Sequence, residues 1–288
     1  MLRTRVIPAL LVRDGCLVKT VRFGRFAYVG DPSNTVRIFN ELEVDELLVL
    51  DISRDRAVRG PDLRLIADLA DECFMPLGYG GGIWSLDDAR AIFATGIEKV
   101  VINTAAVARP DLIGEIATVY GSQAVIVSID VNRGLLGAQT VRTENGRRRT
   151  GLDPVAWAKE AVRLGSGEIL LTSIDREGTW DGFDLDLVRR VSDAVAVPVI
   201  AHGGAGQLQD IGAAVTKGGA SAVALGSMVV FQKRGMGVLV NFPLNTELSR
   251  ALPSADRADS MVNSPDYPRQ LRTLHSQPSS ETAHGQEL

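Results

Sequence analysis

Short aliphatic runs recur along the chain, separated by longer amphipathic stretches. The runs are VIPALLV (6–12), LLVLDI (47–52), MPLGY (75–79), KVVIN (99–103), AVIVSID (124–130), EILLTSI (168–174), VPVIA (197–201) and SAVALG (221–226). Near-continuous apolar runs of this length are what strands covered on both faces of a parallel sheet require. Helix-start chemistry falls between them: Asp31-Pro32, Ser85 with Asp88 three residues on, Pro110-Asp111 and Asp153-Pro154. Eight strands alternating with helices predict a closed (β/α)8 barrel of the TIM class. The competing arrangement, a doubly wound sheet, usually has about five to seven strands and one switch point.

An internal repeat supports the barrel. ELLVLDISRDRAVRG (46–60) lines up with EILLTSIDREGTWDG (168–182), and MPLGYGGGI (75–83) with VPVIAHGGA (197–205), both at an offset of 122. RVIPALLV (5–12) falls on AVIVSIDV (124–131) at an offset of 119. Two half-barrels of four β/α units produce such a pattern. From residue 253 the text turns polar and rich in proline and serine, so the expected organisation is a barrel over 1–252 and a mostly disordered tail over 253–288.

Composition narrows the function. Lys and Arg number 31 against 35 Asp and Glu, a net charge of −4, which leaves no basic excess to neutralise a nucleic acid. Only Cys16 and Cys73 are present, so neither a disulfide framework nor a thiolate metal site is expected. No His, Asp and Glu cluster has ligand spacing, and neither metal nor cofactor is implied. Arginines interrupt the apolar N-terminus, and no stretch approaches about 20 uninterrupted apolar residues, so a soluble, cytoplasmic protein is expected, not associated with membranes.

In barrels the chemistry sits at the C-terminal ends of the strands. The first half places Gly81 and Gly82 after its third strand and Asn103-Thr104 after its fourth; the second half places Gly203 and Gly204 after its seventh and Gly226-Ser227 after its eighth. Glycines there let backbone N–H groups approach an anion, although glycine also serves tight strand-to-helix turns. Two repeat-related pairs predict two anion sites on one face, suited to a substrate with phosphate at both ends or one phosphate and another anion. At the opposite end four strands open on a charge: Arg5, Glu46, Lys99 and Glu168. Four charges at one buried layer are costly unless paired, so a salt-bridged floor is expected. Thr172 and Ser128 stand at inward positions above it, where each could also bond a backbone carbonyl.

The strings RVIPALLVRDG, VKTVRF, GDP (30–32), DELLVLDI, GGGI (80–83), INTAA (102–106), TGLDPVAWAKE (150–160), GEILLTSIDREGT (167–179) and GGAG (203–206) resemble the HisF family, the cyclase subunit of imidazole glycerol phosphate synthase. The likeness covers about residues 1–231. It implies that a HisH-like glutaminase supplies ammonia, that the four floor charges form the gate through which it enters, and that Asp130 at the mouth acts in acid–base catalysis. By position, Asp51 and Asp175 end or follow strands at the mouth and could contact ribose-like hydroxyls or cap loops, and Lys19, in the loop over 18–31, could make a closing-loop phosphate contact or stand as a solvated lysine. Glu177 stands where the family has aspartate.

The departures are specific. The family pairs the fifth-strand aspartate with one on the first strand, where this chain has Leu11, and leucine carries no proton. Ala27 replaces a mobile-loop arginine, and His202 precedes Gly203 where the family has serine; a histidine there could titrate near neutrality and assist chemistry or bind an anion, or could pack with one satisfied hydrogen bond. The closing segment GSMVVFQKRGMGVLVNFP (226–243) and the opening RVIPALLV resemble the WbuZ-like paralogues of glycosyl amidation. That resemblance implies an acetamido sugar as the ammonia acceptor and an N-acetyl sugar amidotransferase as a further partner. The alternatives are an authentic cyclase of histidine biosynthesis, in which Asp130 works with His202 or Asp175, and a non-catalytic module that activates its glutaminase.

Overall fold

The computed structural model describes residues 4–53, 59–134 and 137–252. The polar tail expected over 253–288 lies outside the described residues. Eight parallel strands form the barrel: β1 (Arg5–Arg13), β4 (Leu47–Asp51), β5 (Leu77–Gly80), β6 (Lys99–Ile102), β7 (Val125–Arg133), β10 (Glu168–Ser173), β11 (Val199–His202) and β12 (Ala222–Leu225). Their order is β10-β11-β12-β1-β4-β5-β6-β7, and β7 pairs back onto β10, so the sheet closes. Every predicted aliphatic run is a barrel strand.

Side chains alternate between two apolar layers, because successive residues of a strand point to opposite faces. From β1, Val6, Leu10 and Val12 pack outward against the helices, while Ile7 and Ala9 point to the axis with Leu48, Val101, Ile126, Leu170 and Ile200. Both faces are dry, which is why the runs read as continuous rather than alternating. Full burial of each such side chain contributes about 1.5–3 kcal/mol.

Among the described residues the α-helices are α1 (Pro32–Glu41), α2 (Leu63–Glu72), α3 (Leu86–Phe93), α4 (Thr104–Ala108), α5 (Asp111–Tyr120), α6 (Pro154–Arg163), α7 (Leu185–Ser192), α8 (Leu208–Thr216), α9 (Ser227–Val230) and α10 (Asn245–Ala251). The repeat extends to their starts. Asp31 accepts from Asn34 N at 2.8 Å ahead of Pro32, and Asp153 accepts from Ala156 N at 2.9 Å ahead of Pro154, 122 residues later. Ser85 and Asp88 make a reciprocal capping box on α3. None of the described helices is long and apolar enough to cross a membrane.

Each half opens with a nine-residue strand that overshoots the barrel and folds back as an antiparallel hairpin. In the first half β1 continues into β2 (Cys16–Val21) and β3 (Arg25–Gly30); in the second, β7 continues into β8 (Gln139–Thr143) and β9 (Arg148–Arg149). The segment expected as a loop over 18–31 is therefore a β-hairpin. Its turn uses Arg22 and Phe23 at φ of 54° and 57°, a left-handed conformation for which these residue types give no sequence signal.

Candidate functional site: a floor ring and two cavities at the mouth

At the N-terminal end of the barrel the four predicted charges close into one ring. Arg5 Nη1 donates to Glu46 at 2.5 Å, and its two amino groups donate to Glu168 at 3.2 and 2.9 Å. Lys99 Nζ donates to Glu46 at 2.7 Å and to Glu168 at 2.9 Å. Each cation bridges both anions and each anion receives both cations, so the ring offsets the cost of burying carboxylates that are only 4% and 10% exposed.

At the other end lies a cavity of about 500 Å³ between the strand ends and the two hairpins. Asp51, Gly81, Gly82, Asn103, Thr104, Asp130, Thr172 and His202, each singled out in the sequence, all line it. Asp130 is held by Ser128 Oγ at 3.3 Å and by Asn103 Nδ2 at 3.3 Å, and burial pushes its carboxyl up to about 7 against the pull of the Thr172 and Ser128 hydroxyls. A carboxyl with that midpoint both gives and takes a proton near neutrality. The wall contributed by β1 is apolar: Leu11, paired with Leu50, lines the cavity and offers no group that titrates, while β4 brings the Asp51 carboxylate to the same cavity. Asn103 spans to β7 through the Ser128 carbonyl at 3.0 Å, and the Thr104 hydroxyl accepts from Glu144 N at 3.0 Å.

A second, smaller cavity is lined by Lys19, Glu177, His202, Gly203, Gly204, Gly226 and Ser227. Gly203 and Gly204 have φ of 90° and 115°, echoing 136° and 73° at Gly81 and Gly82. A Cβ on Gly204 would lie 2.2 Å from the Gly182 carbonyl and one on Gly81 2.7 Å from Asp51, so both pairs also meet a packing need.

Lys19 belongs to β2 and is only 4% exposed, not a residue of an open loop. Its Nζ donates to the Ala9 carbonyl at 3.3 Å and faces the gap above Gly226, and burial pulls its pKa down against the Glu177 carboxylate. Glu177 accepts from the Thr20 hydroxyl at 2.9 Å and from Phe23 N at 3.1 Å, which fastens the first hairpin to the mouth.

Two readings need correction. Asp175 lines neither cavity; its carboxylate accepts from Arg133 N at 2.7 Å and Asn132 Nδ2 at 3.0 Å and so caps the end of β7. His202 does not titrate near neutrality, because burial and the neighbouring Lys19 pull it down to about 3. Sequence reasoning missed the hairpin roof of the cavity, Phe23 and Phe26 from the first hairpin and Asn145, Arg147 and Arg148 from the second. The Asn145-Gly146 pair, a common hairpin turn, was the available signal. Among the described residues no group of His, Cys, Asp and Glu is placed to hold a metal ion.

Residues 5–234 match the sequence profile of the histidine biosynthesis protein family. The chain belongs to that family. It is similar to a Pseudomonas aeruginosa protein provisionally named imidazole glycerol phosphate synthase subunit HisF, with 50% identity over 243 residues, 84% of this chain and 97% of the relative. A Leptospira interrogans protein with the same provisional name is 46% identical over 253 residues, 88% of this chain and 99% of the relative. A Vibrio vulnificus protein of that kind is 43% identical over 253 residues, 88% and 97% of the two chains. This family member thus spans nearly the full length of relatives whose names attach them to a synthase.

Proposed function

We propose that the chain is a HisF-type synthase subunit of a glutamine amidotransferase. It receives ammonia from a HisH-like glutaminase at the floor of the barrel and delivers it to an acceptor in the mouth cavity. The observation that carries this reading is the alignment, along one barrel, of the Arg5, Glu46, Lys99 and Glu168 ring below and Asp130 above. The interior between them is apolar, from Ile7 and Leu48 to Ile126 and Ile200. Neutral ammonia crosses such a medium at far lower cost than ammonium, which would lose its hydration without a partner. The ring is then the gate: separating its ion pairs opens the floor.

The acceptor in this reading is an acetamido sugar, converted to an acetamidino sugar for a surface polysaccharide such as the O-antigen of lipopolysaccharide, with an N-acetyl sugar amidotransferase as a further partner. Support comes from Leu11. Cyclisation by opposed carboxylates needs a second acid facing Asp130, and the β1 wall has none. The glycine-lined cavity beside Lys19 and Ser227, about 10 Å³, suits a single oxygen of an anionic group, and the larger cavity at Gly82, Asn103 and Thr104 suits a second anion. The alternative, a lyase-type cyclase of histidine biosynthesis, requires Asp130 to act with a different partner group.

The deciding experiment supplies purified protein with free ammonium and the bis-phosphorylated ribonucleotide substrate of HisF, and follows substrate consumption. The expected result is no turnover, while a HisH-like glutaminase still binds and is stimulated. Turnover at ordinary enzymatic rates that is lost in Asp130→Asn would establish the cyclase and overturn the sugar reading.

A further inference from the structure

Three neighbouring strands place one polar side chain each at a single level of the barrel. Thr172 on β10 is the register partner of Asp130 on β7 and of His202 on β11. All three side chains are buried, with the threonine hydroxyl 3.1 Å from His202 Nδ1 and directly across the strand pair from Asp130. His202 lines both cavities. A Cβ on Gly226 would lie 2.3 Å from Lys19 Nζ and 3.8 Å from His202 Nε2, so the amine and the ring nitrogen converge on one gap in the second cavity.

We propose that Asp130, Thr172 and His202 form a proton wire joining the mouth cavity to the glycine-lined cavity beside Lys19, so that His202 supplies the second proton-transfer end that Leu11 lacks. A hydroxyl has one proton to donate, which couples the ends of the row. When Asp130 is ionised, the Thr172 O–H donates to it, and Thr172 Oγ1 accepts from His202 Nδ1–H. Nε2 is then bare and faces Lys19. When Asp130 is protonated, its O–H donates to Thr172 Oγ1, the Thr172 O–H donates to a bare Nδ1, and the ring proton sits on Nε2.

Passing between these states moves one proton and leaves no residue. The Asp130 proton goes to Thr172 Oγ1, the Thr172 proton goes to Nδ1, and the Nε2 proton leaves for an anionic oxygen held in the second cavity. The imidazole stays neutral before and after transfer, in keeping with its burial beside a cation. Other charges facing the row are Lys19 from β2 and Glu177 from the loop after β10. Asp51 from β4 and Glu144, Arg147 and Arg148 from the second hairpin share its cavity.

Use of the wire in catalysis rests on the proposed mouth chemistry, but its existence is a property of the folded chain and is read without turnover. The experiment is NMR of the full chain labelled with 15N in histidine and 13C in the aspartate carboxyls, from pH 5 to 9, with His202→Asn and Asp130→Asn assigning the signals. His202 is expected to remain neutral while its tautomer switches from Nε2–H to Nδ1–H with the same midpoint as Asp130. In Thr172→Val the Asp130 signal should still titrate while the His202 tautomer no longer follows it, and Thr172→Ser should restore the coupling. In Asp130→Asn the tautomer should not change with pH, which provides the comparison should Thr172→Val fold poorly. A His202 tautomer that stays constant while Asp130 titrates, or one that tracks Asp130 in Thr172→Val, overturns the wire. Glutaminase stimulation and ammonium-dependent turnover are read separately, so failure of the synthase reading leaves this result standing, and the reverse.

Discussion

Asp130 sits among Ser128, Asn103 and Thr172, with no cation in contact among the described residues, and its carboxyl is held at about 7 rather than the ordinary 3.8. Its proton is bound more tightly in the folded chain than in the unfolded one, so this residue makes stability fall as pH rises from 3.8 to about 7, after which the loss is complete. The loss amounts to about 4 kcal/mol at most. Asp130→Asn removes the titration while keeping the shape. Its thermal midpoint should exceed that of the wild type above pH 7, and the gap should shrink steadily toward pH 4; calorimetry across that range checks it. A gap independent of pH would place the group in an ordinary, solvated environment. That Asp130 would reach the mouth was readable from its place at the end of the fifth aliphatic run. The environment that sets its midpoint was not, because Asn103 and Thr172 reach it only through strand pairing.

The two hairpins carry what distinguishes this mouth. The first is tied down by Glu177, which accepts from Thr20 and Phe23, and by the close approach of Gly178, where a Cβ would lie 2.3 Å from the Thr20 carbonyl. The second meets it where Gly146 faces the Phe23 ring. Glu177→Ala leaves the Phe23 N–H without its partner, a loss of about 1–3 kcal/mol. The expected outcome is faster amide exchange over 16–30 with unchanged protection of β4 to β6, read by hydrogen–deuterium exchange. Slower exchange, or an equal rise everywhere, would show that Glu177 does not act as a local fastener. Strands and caps were legible because each rests on local chemistry: aliphatic runs, Asp-Pro starts and the Ser85 box. The first hairpin was hidden because its turn is built from Arg22 and Phe23 and is held by a glutamate over 150 positions away.

At the scale of the molecule, the barrel joins an electrostatic floor to a polar mouth through an apolar interior. Glu46 receives Arg5 and Lys99 while only 4% of its side chain is exposed, so Glu46→Gln leaves two partly buried cations short of an anion. A loss of about 3–5 kcal/mol is expected, read as a lower urea midpoint at unchanged slope. No measurable loss would mean that the ring is solvated and makes no seal. Eight aliphatic runs and a repeat at an offset of 122 were enough to settle the barrel, and the glycine pairs were enough to locate the strand ends that line its cavities, since period, length and turn residues act locally. The four floor charges were visible as strand openings, and their mutual pairing follows once the strands are parallel and in register. What only the tertiary structure decided is how side chains from different strands share space. It turned Asp175 to the end of β7, drew Lys19 from an expected loop into a buried strand, and kept His202 neutral beside it. Burial and pairing between strands set these outcomes, and both depend on closure of the sheet, which no local stretch of residues encodes.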